Sequence, residues 1–168
     1  MKYGPLIALH DPSQSHWELN ERIDVRRVLE VGMHRGGSAR VWRDALQPEL
    51  LIGINERDEI EGERHGICTV FGRSQDPIIQ QQVLDLLAGA PLDFLFVDGG
   101  HYYDEVRSDF ELYSPLVRAG GVATFHDVRL TGPTAEVHRY WCEVAQGRRT
   151  KVVWDGTDAG TGIGVVFL

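Results

Sequence analysis

Short apolar, β-branched runs alternate with longer segments of helical periodicity along nearly the whole chain, and this alternation constrains the fold more than any other feature. Strands separated by helices reach their neighbours through crossovers, which produces a parallel sheet covered by helices. The runs 27–31, 50–54, 67–71, 92–97 and 122–125 read as five parallel strands. The fourth is almost wholly apolar, as expected where both faces of a central strand are buried. Helical periodicity covers 36–46, with Val41, Trp42 and Leu46 on one face. A second helix opens with Pro77 at its favoured first position and stops at Gly89, and two more span 103–117 and 134–145. The charged stretch 56–65 reads as a solvated helix or loop. The last two apolar runs, 151–154 and 163–168, are separated only by a glycine-rich turn. With no room for a crossover helix they must form an antiparallel hairpin, giving seven strands with helices on both faces.

A length of 168 residues fits one domain, 1–168, in which the segment 1–25 has no legible role. Such a chain buries roughly two thirds of its unfolded surface and needs no disulfide merely to fold. Cys68 and Cys142 make no disulfide framework and suit a reducing cytoplasm. No apolar run approaches the roughly 18 residues of a membrane helix, and Met1-Lys2-Tyr3-Gly4-Pro5 lacks the order of a signal peptide. The expectation is a soluble, cytoplasmic protein with no membrane partner. Seventeen basic against 25 acidic side chains leave a net charge of −8, which argues against nucleic acid as a partner. Glycine, with 19 residues, is in excess, and glycine is used where backbone must turn sharply or approach something closely.

In an open parallel sheet, ligands bind outside the carboxyl ends of the strands, and the unusual residues of this chain collect there. After the first strand comes Glu30-Val31-Gly32-Met33-His34-Arg35-Gly36-Gly37-Ser38, a glycine turn leading into a helix. Gly32 would allow the turn, while Gly36 and Gly37 would leave space for a ligand. The spacing is not that of the G-x-G-x-x-G dinucleotide pattern. The fourth strand ends in Asp98-Gly99-Gly100-His101-Tyr102-Tyr103 and the fifth in His126-Asp127. Neighbouring strands lie about 4.8 Å apart, so Asp98 and Asp127 can converge. Two such carboxylates suit a hard cation such as magnesium, and a buried pair needs either a metal or basic partners.

These segments, together with Val106, Asp109 and the Gly120-Gly121-Val122 turn, resemble the class I S-adenosylmethionine-dependent methyltransferases. The resemblance is closest to the small metal-dependent O-methyltransferases, a group that includes macrolide-sugar enzymes and cephalosporin-hydroxylase-type proteins. It spans about residue 26 to 168 and implies an α/β, Rossmann-like, mostly parallel seven-stranded sheet closed by the antiparallel hairpin. It further implies that Glu30, Gly32, Gly36 and Ser38 line the methionine end of S-adenosylmethionine, with Ser74 beside the adenine. Asp98 and Asp127 would hold magnesium, with His126 alongside as a ligand, and Asp98 would also touch the cofactor. His101 would take the proton of an acceptor hydroxyl as its oxygen attacks the methyl group. Where the resemblance implies an acidic residue for the ribose hydroxyls, this chain has Asn55, whose amide oxygen can still accept one hydroxyl, followed by Glu56.

The implied activity is magnesium-assisted methyl transfer to a hydroxyl of a sugar or other small secondary metabolite, with a homo-oligomer compatible with the short chain. Asn55 and the lack of a substrate lid motivate the alternative of a noncatalytic binding or assembly module. An NAD-dependent oxidoreductase is disfavoured by the glycine spacing and the terminal hairpin. His10, His16, His65 and His138 read as solvated or helix-face residues, and His34 as a loop residue without a required role.

Overall fold

The computed structural model describes residues 24–130, 132, 136–154 and 161–168. The strands are β1 (Arg27–Val31), β2 (Leu50–Asn55), β3 (Cys68–Phe71), β4 (Leu92–Val97), β5 (Val117–Phe125), β6 (Thr150–Val153) and β7 (Ile163–Phe167). They form one sheet in the order β3-β2-β1-β4-β5-β7-β6. The first five are parallel, and β7 runs antiparallel to both β5 and β6, which is the sheet the sequence predicts. Strand order reverses between β1 and β4, and such a switch point opens a crevice at the carboxyl ends of the two strands.

Strand alternation divides the core. Leu29 and Val31 of β1 join a cluster completed by α2 (Pro77–Leu87), α3 (Tyr103–Tyr113) and α4 (Val137–Val144). Val28 faces the other way, toward α1 (Gly37–Leu46), in a smaller cluster with Met33, Leu51, Phe94 and Phe96. Trp42 of α1 meets Phe94 and Phe96 edge to face, with centroids 5.1 and 5.2 Å away. Among the described residues, helices therefore cover both faces, three α-helices on one and one on the other. Glu30 has the same parity as Val28, so its carboxylate points to the α1 side.

Several boundaries differ from the sequence expectation for local reasons. α1 begins at Gly37 because Gly36 is its left-handed cap, with φ +77°. The segment 56–65 contains no helix. α2 starts as expected, with the Asp76 carboxylate accepting the Ile78 N–H at 2.9 Å, but it ends at Leu87, two residues before Gly89, with Ala88 in the left-handed cap position at φ +50°. α3 stops at Tyr113 rather than near Val117: Ser114 keeps helical dihedrals, but Pro115 has no N–H to continue the ladder, and the chain tightens into a 3-10 turn over Ser114–Leu116. β5 consequently starts at Val117, and its pairing with β4 shifts between Leu92↔Val117 and Phe94↔Val122. This irregularity accommodates Gly120 and brings Arg118 to the Asp93 carboxylate, which also accepts the Arg26 and Arg27 N–H groups. α4 begins at Val137; the expected start at Thr134 and most of segment 1–25 lie outside the described residues. No helix among the described residues is long and apolar enough to cross a membrane.

Candidate active site

A cavity of about 730 Å³ opens at the carboxyl ends of the strands, within the range of small-molecule sites. The strand ladders continue into its walls: Asp98 N–H donates to Val31 O at 2.8 Å, His126 N–H to Val97 O at 3.0 Å and Gly72 N–H to Asn55 O at 2.9 Å. Of the residues expected at the site, Gly32, Asn55, Ser74, Asp98, His101, His126 and Asp127 line it. Glu30, Gly36 and Ser38 do not. Glu30 is fully buried, and Ser38 Oγ donates to its Oε1 while Oε2 has no partner. Burial pushes Glu30 up to about 8 even though the Ser38 bond opposes the rise.

The glycines serve a purpose different from the expected open cradle. A Cβ on Gly32, whose φ is +90°, would lie 2.0 Å from the Asp98 carbonyl oxygen. On Gly100 it would meet Glu105 Oε2 at 2.1 Å, and on Gly72 it would meet Ile79 Cδ1 at 2.5 Å. These positions let the chain pack against itself at the crevice floor. Only Gly37, of those predicted to make room, faces open space, and it lies outside the cavity lining.

At the β4 and β5 ends, four titratable side chains meet. His126 Nδ1 is 2.9 Å from Asp127 Oδ1 and 3.3 Å from Asp98 Oδ1. His126 Nε2 lies 3.4 Å from Thr161 Oγ1. Because carboxylates only accept, the neutral ring carries its proton on Nδ1 and accepts the Thr161 hydroxyl at Nε2. His101 Nε2 is 3.3 Å from Asp127 Oδ2, so its proton sits on Nε2 and Nδ1 is its basic nitrogen. Asp127 is buried and holds φ +61°, a conformation rare outside glycine that aims its carboxylate between both rings. Burial pushes Asp98 up to about 6; the His126 charge opposes the rise and the Asp127 charge adds to it.

These side chains fit a divalent cation. Asp98, His101 and Asp127 each offer a donor atom within 4.8 Å of the others. Neighbouring ligands of an octahedral ion at about 2.1 Å lie about 3 Å apart, and the spacings around Asp127 are of that size. The expected third ligand, His126, stands outside that group: its Nδ1 is nearer Asp127 than Asp98, at 2.9 against 3.3 Å, and donates to them here, just as Nε2 of His101 donates to Asp127 until an ion displaces its proton.

The β2 and β3 ends are organised differently. Asn55 Oδ1 accepts the His34 N–H at 3.0 Å, and Nδ2 donates to the carbonyls of His34 at 3.1 Å and Arg57 at 2.8 Å. Both donors are spent, and one lone pair of Oδ1 is left for a ligand hydroxyl. Ser74 Oγ donates to Asp109 Oδ1 at 2.6 Å, as does Gln75 Nε2, also at 2.6 Å. The Tyr113 hydroxyl donates to Ser74 O at 2.6 Å. Gln75, Arg73, Arg57 and Glu105 line the cavity and were not singled out from sequence. The spacing of Asp109 in the motif after Asp98 was the one available signal for this network, since its partners lie 34 and 35 residues away.

Comparison with known proteins agrees with this fold. A family model described as a methyltransferase domain matches residues 29–128. Demethylmacrocin O-methyltransferase of Streptomyces fradiae is 33% identical over 136 residues, covering 76% of this chain and 33% of that protein. Mycinamicin VI 2''-O-methyltransferase of Micromonospora griseorubida is 30% identical over 111 residues, covering 61% of this chain and 27% of that protein. The chain thus spans a third or less of these relatives. Among solved structures, the MycE methyltransferase of the mycinamycin pathway, in complex with Mg, SAH and mycinamycin VI, superposes with a TM-score of 0.59 at 21% identity, covering 85% of this chain and 44% of that one. An O-methyltransferase from Bacillus cereus in complex with SAH gives a TM-score of 0.64 at 17% identity over 86% of this chain and 75% of that one, which shows the same fold. With the family model covering more than half of its residues, this chain belongs to the methyltransferase-domain family.

Proposed function

We propose that this chain, acting as one methyltransferase-like unit in the cytoplasm, is a metal-assisted O-methyltransferase. It would use S-adenosylmethionine to methylate a hydroxyl of a sugar or similar small metabolite. The observation that carries the reading is the pair Asp98 and Asp127, each in contact with an imidazole at adjoining strand ends and lining one cavity. The two O-methyltransferase relatives support the transfer to oxygen.

The cofactor carries an ammonium and a sulfonium at one end and a neutral purine at the other. Charge complementarity directs the cationic end toward Asp98 and the purine toward the amide and hydroxyl groups of Ser74 and Gln75. Bound together, the sulfonium supplies an activated methyl group and magnesium supplies positive charge at the acceptor oxygen. Asp98 and Asp127, with His126 beside them, would hold the ion. His101 accepts the hydroxyl proton at Nδ1, and Asp127, bonded to Nε2, holds the ring in the required tautomer. Most of the acceleration comes from holding acceptor and methyl in line within the cavity.

Calorimetric titration with S-adenosylhomocysteine, with and without magnesium, tests the reading; no heat at millimolar ligand would remove it. A noncatalytic module is the alternative, favoured by the engagement of the Asn55 amide with backbone. Transfer of labelled methyl to any sugar hydroxyl would reject that alternative.

A further inference from the structure

His101 and Asp127 face each other from two segments of irregular backbone, 98–102 and 126–130, and both segments are tied to the first turn of α4. Glu136, the N-cap residue of α4, grips the first segment at two points. Its N–H donates to His101 O at 3.0 Å, and its Oε2 accepts the Tyr103 N–H at 2.9 Å. The second bond supplies a cap that Tyr102, the N-cap residue of α3, does not provide. Further along the same face of α4, the Arg139 guanidinium lies over the Tyr103 ring, 4.4 Å from its centroid, and Glu143 Oε2 accepts the Tyr103 hydroxyl at 2.7 Å. The turn that carries His101 is thus held from outside, by α4.

His138 holds the second segment. A carbonyl only accepts, so the 2.7 Å contact between its Nδ1 and Val128 O is an N–H donated to the residue that follows Asp127. Side chains two positions apart point to different sides of a helix, which lets one turn reach two segments. The approach of His101 Nε2 to Asp127 Oδ2, 3.3 Å, is therefore set through α4 as well as by the two loops. We infer that Glu136 and His138 are positioning residues: the first turn of α4 braces His101 against Asp127 and so aims the Asp127 carboxylate for a metal ion, although neither residue lines the cavity. This rests on the proposed metal-assisted reading and deepens it by assigning the residues that hold its base and its carboxylate together.

The test measures Mn²⁺ affinity by electron paramagnetic resonance and S-adenosylhomocysteine affinity by calorimetry without metal, on the whole chain. Outer contacts that orient metal ligands contribute on the order of 10- to 100-fold in metal affinity, so Glu136→Ala and His138→Ala should each weaken Mn²⁺ binding about 10-fold. Both should leave S-adenosylhomocysteine within about threefold. Glu136→Gln keeps an oxygen for the Tyr103 N–H, and His138→Asn keeps an N–H for Val128 O; each should hold Mn²⁺ within about threefold of the unmodified protein. Either loss frees the same pair. The double alanine variant should therefore cost little more than one alone, about 10- to 20-fold, where independent losses would multiply to about 100-fold.

Unchanged Mn²⁺ affinity in either alanine variant overturns the inference. Equal losses of both ligands, the mark of a general packing role, overturn it too, as does a multiplicative double variant or a folded Glu136→Gln as weak as Glu136→Ala. If Glu136→Ala does not fold, the comparison of His138→Ala with His138→Asn at this exposed position decides in the same way. Each of these results leaves the metal-assisted reading in place, whereas failure of the unmodified chain to bind Mn²⁺ at millimolar concentration removes that reading and the inference with it.

Discussion

The two halves of the cavity solve opposite problems. At the β2 and β3 ends, the Asn55 amide makes three hydrogen bonds to backbone, and Ser74 and Gln75 are anchored on Asp109. Polar groups there are largely satisfied by the protein, so a ligand finds a preformed wall. At the β4 and β5 ends, two carboxylates crowd together with only imidazoles between them, and Asp98 is held well above its ordinary range. That half gains by receiving a cation. The first half is organised for shape and hydrogen bonding, the second for charge, and substitutions should separate the two.

The crevice joining the halves is most sensitive at Gly32. Its φ of +90° and the 2.0 Å approach of a built Cβ to Asp98 O leave no room for a side chain against backbone. Gly32→Ala should destabilise the protein by about 4 kcal/mol or more, through strain and displacement of β4 together. Denaturant unfolding measures it, and a loss below about 1 kcal/mol would mean the halves can separate without cost.

Glu30 gives the next effect. Burial raises its pKa from an ordinary 4.5 to about 8, so the neutral form is the one that the fold favours. Its contribution is complete below about pH 4.5 and is lost as pH rises through about 8, amounting to at most about 5 kcal/mol. Glu30→Gln keeps an acceptor for Ser38 and removes the titration. The stability of the variant relative to the original chain should therefore climb across that window, as read from melting temperature against pH. A flat difference would show that Oε2 is already compensated.

The charged half is then tested directly. Asp127→Asn should weaken binding of Mn²⁺, used as a spectroscopic stand-in for magnesium, about 100-fold. It should leave the binding of S-adenosylhomocysteine in the absence of metal within about threefold. Equal losses in both would join the two halves into one unit.

What was legible in the sequence follows the same division. β1, β2 and β4 announce themselves as apolar runs, and Asp98 and Asp127 stand out because each follows such a run, so the charged half could be assembled from local patterns plus sheet geometry. The other half could not. The bonds of Asp109 to Ser74 and Gln75, and of Asn55 to His34, cross 35, 34 and 21 residues and depend on how α3 and the β1–α1 loop settle on the sheet. The glycines were visible but not their purpose, because whether an absent Cβ faces ligand or backbone is decided by tertiary approach. Gly53 makes the point: it sits inside β2 with Met33 Sδ 1.7 Å from its built Cβ, a contact no local pattern announces.

The smallest effect concerns Asn55, and it bears on whether the missing acid at the end of β2 is a defect. Restoring a carboxylate there by Asn55→Asp supplies a second acceptor for ribose hydroxyls but removes both donors. The carbonyls of His34 and Arg57 would then face negative charge where each now accepts an N–H. Two lost bonds in a largely buried setting cost about 1–2 kcal/mol of stability. The β1–α1 loop they hold also carries His34 in its left-handed conformation at φ +47°. Asn55→Asp should therefore bind S-adenosylhomocysteine no tighter than the original chain, within about threefold, while melting at a lower temperature. A variant that gained tenfold in affinity at unchanged stability would show that the amide is a compromise in the ribose site; the expected result shows that asparagine is what this loop requires.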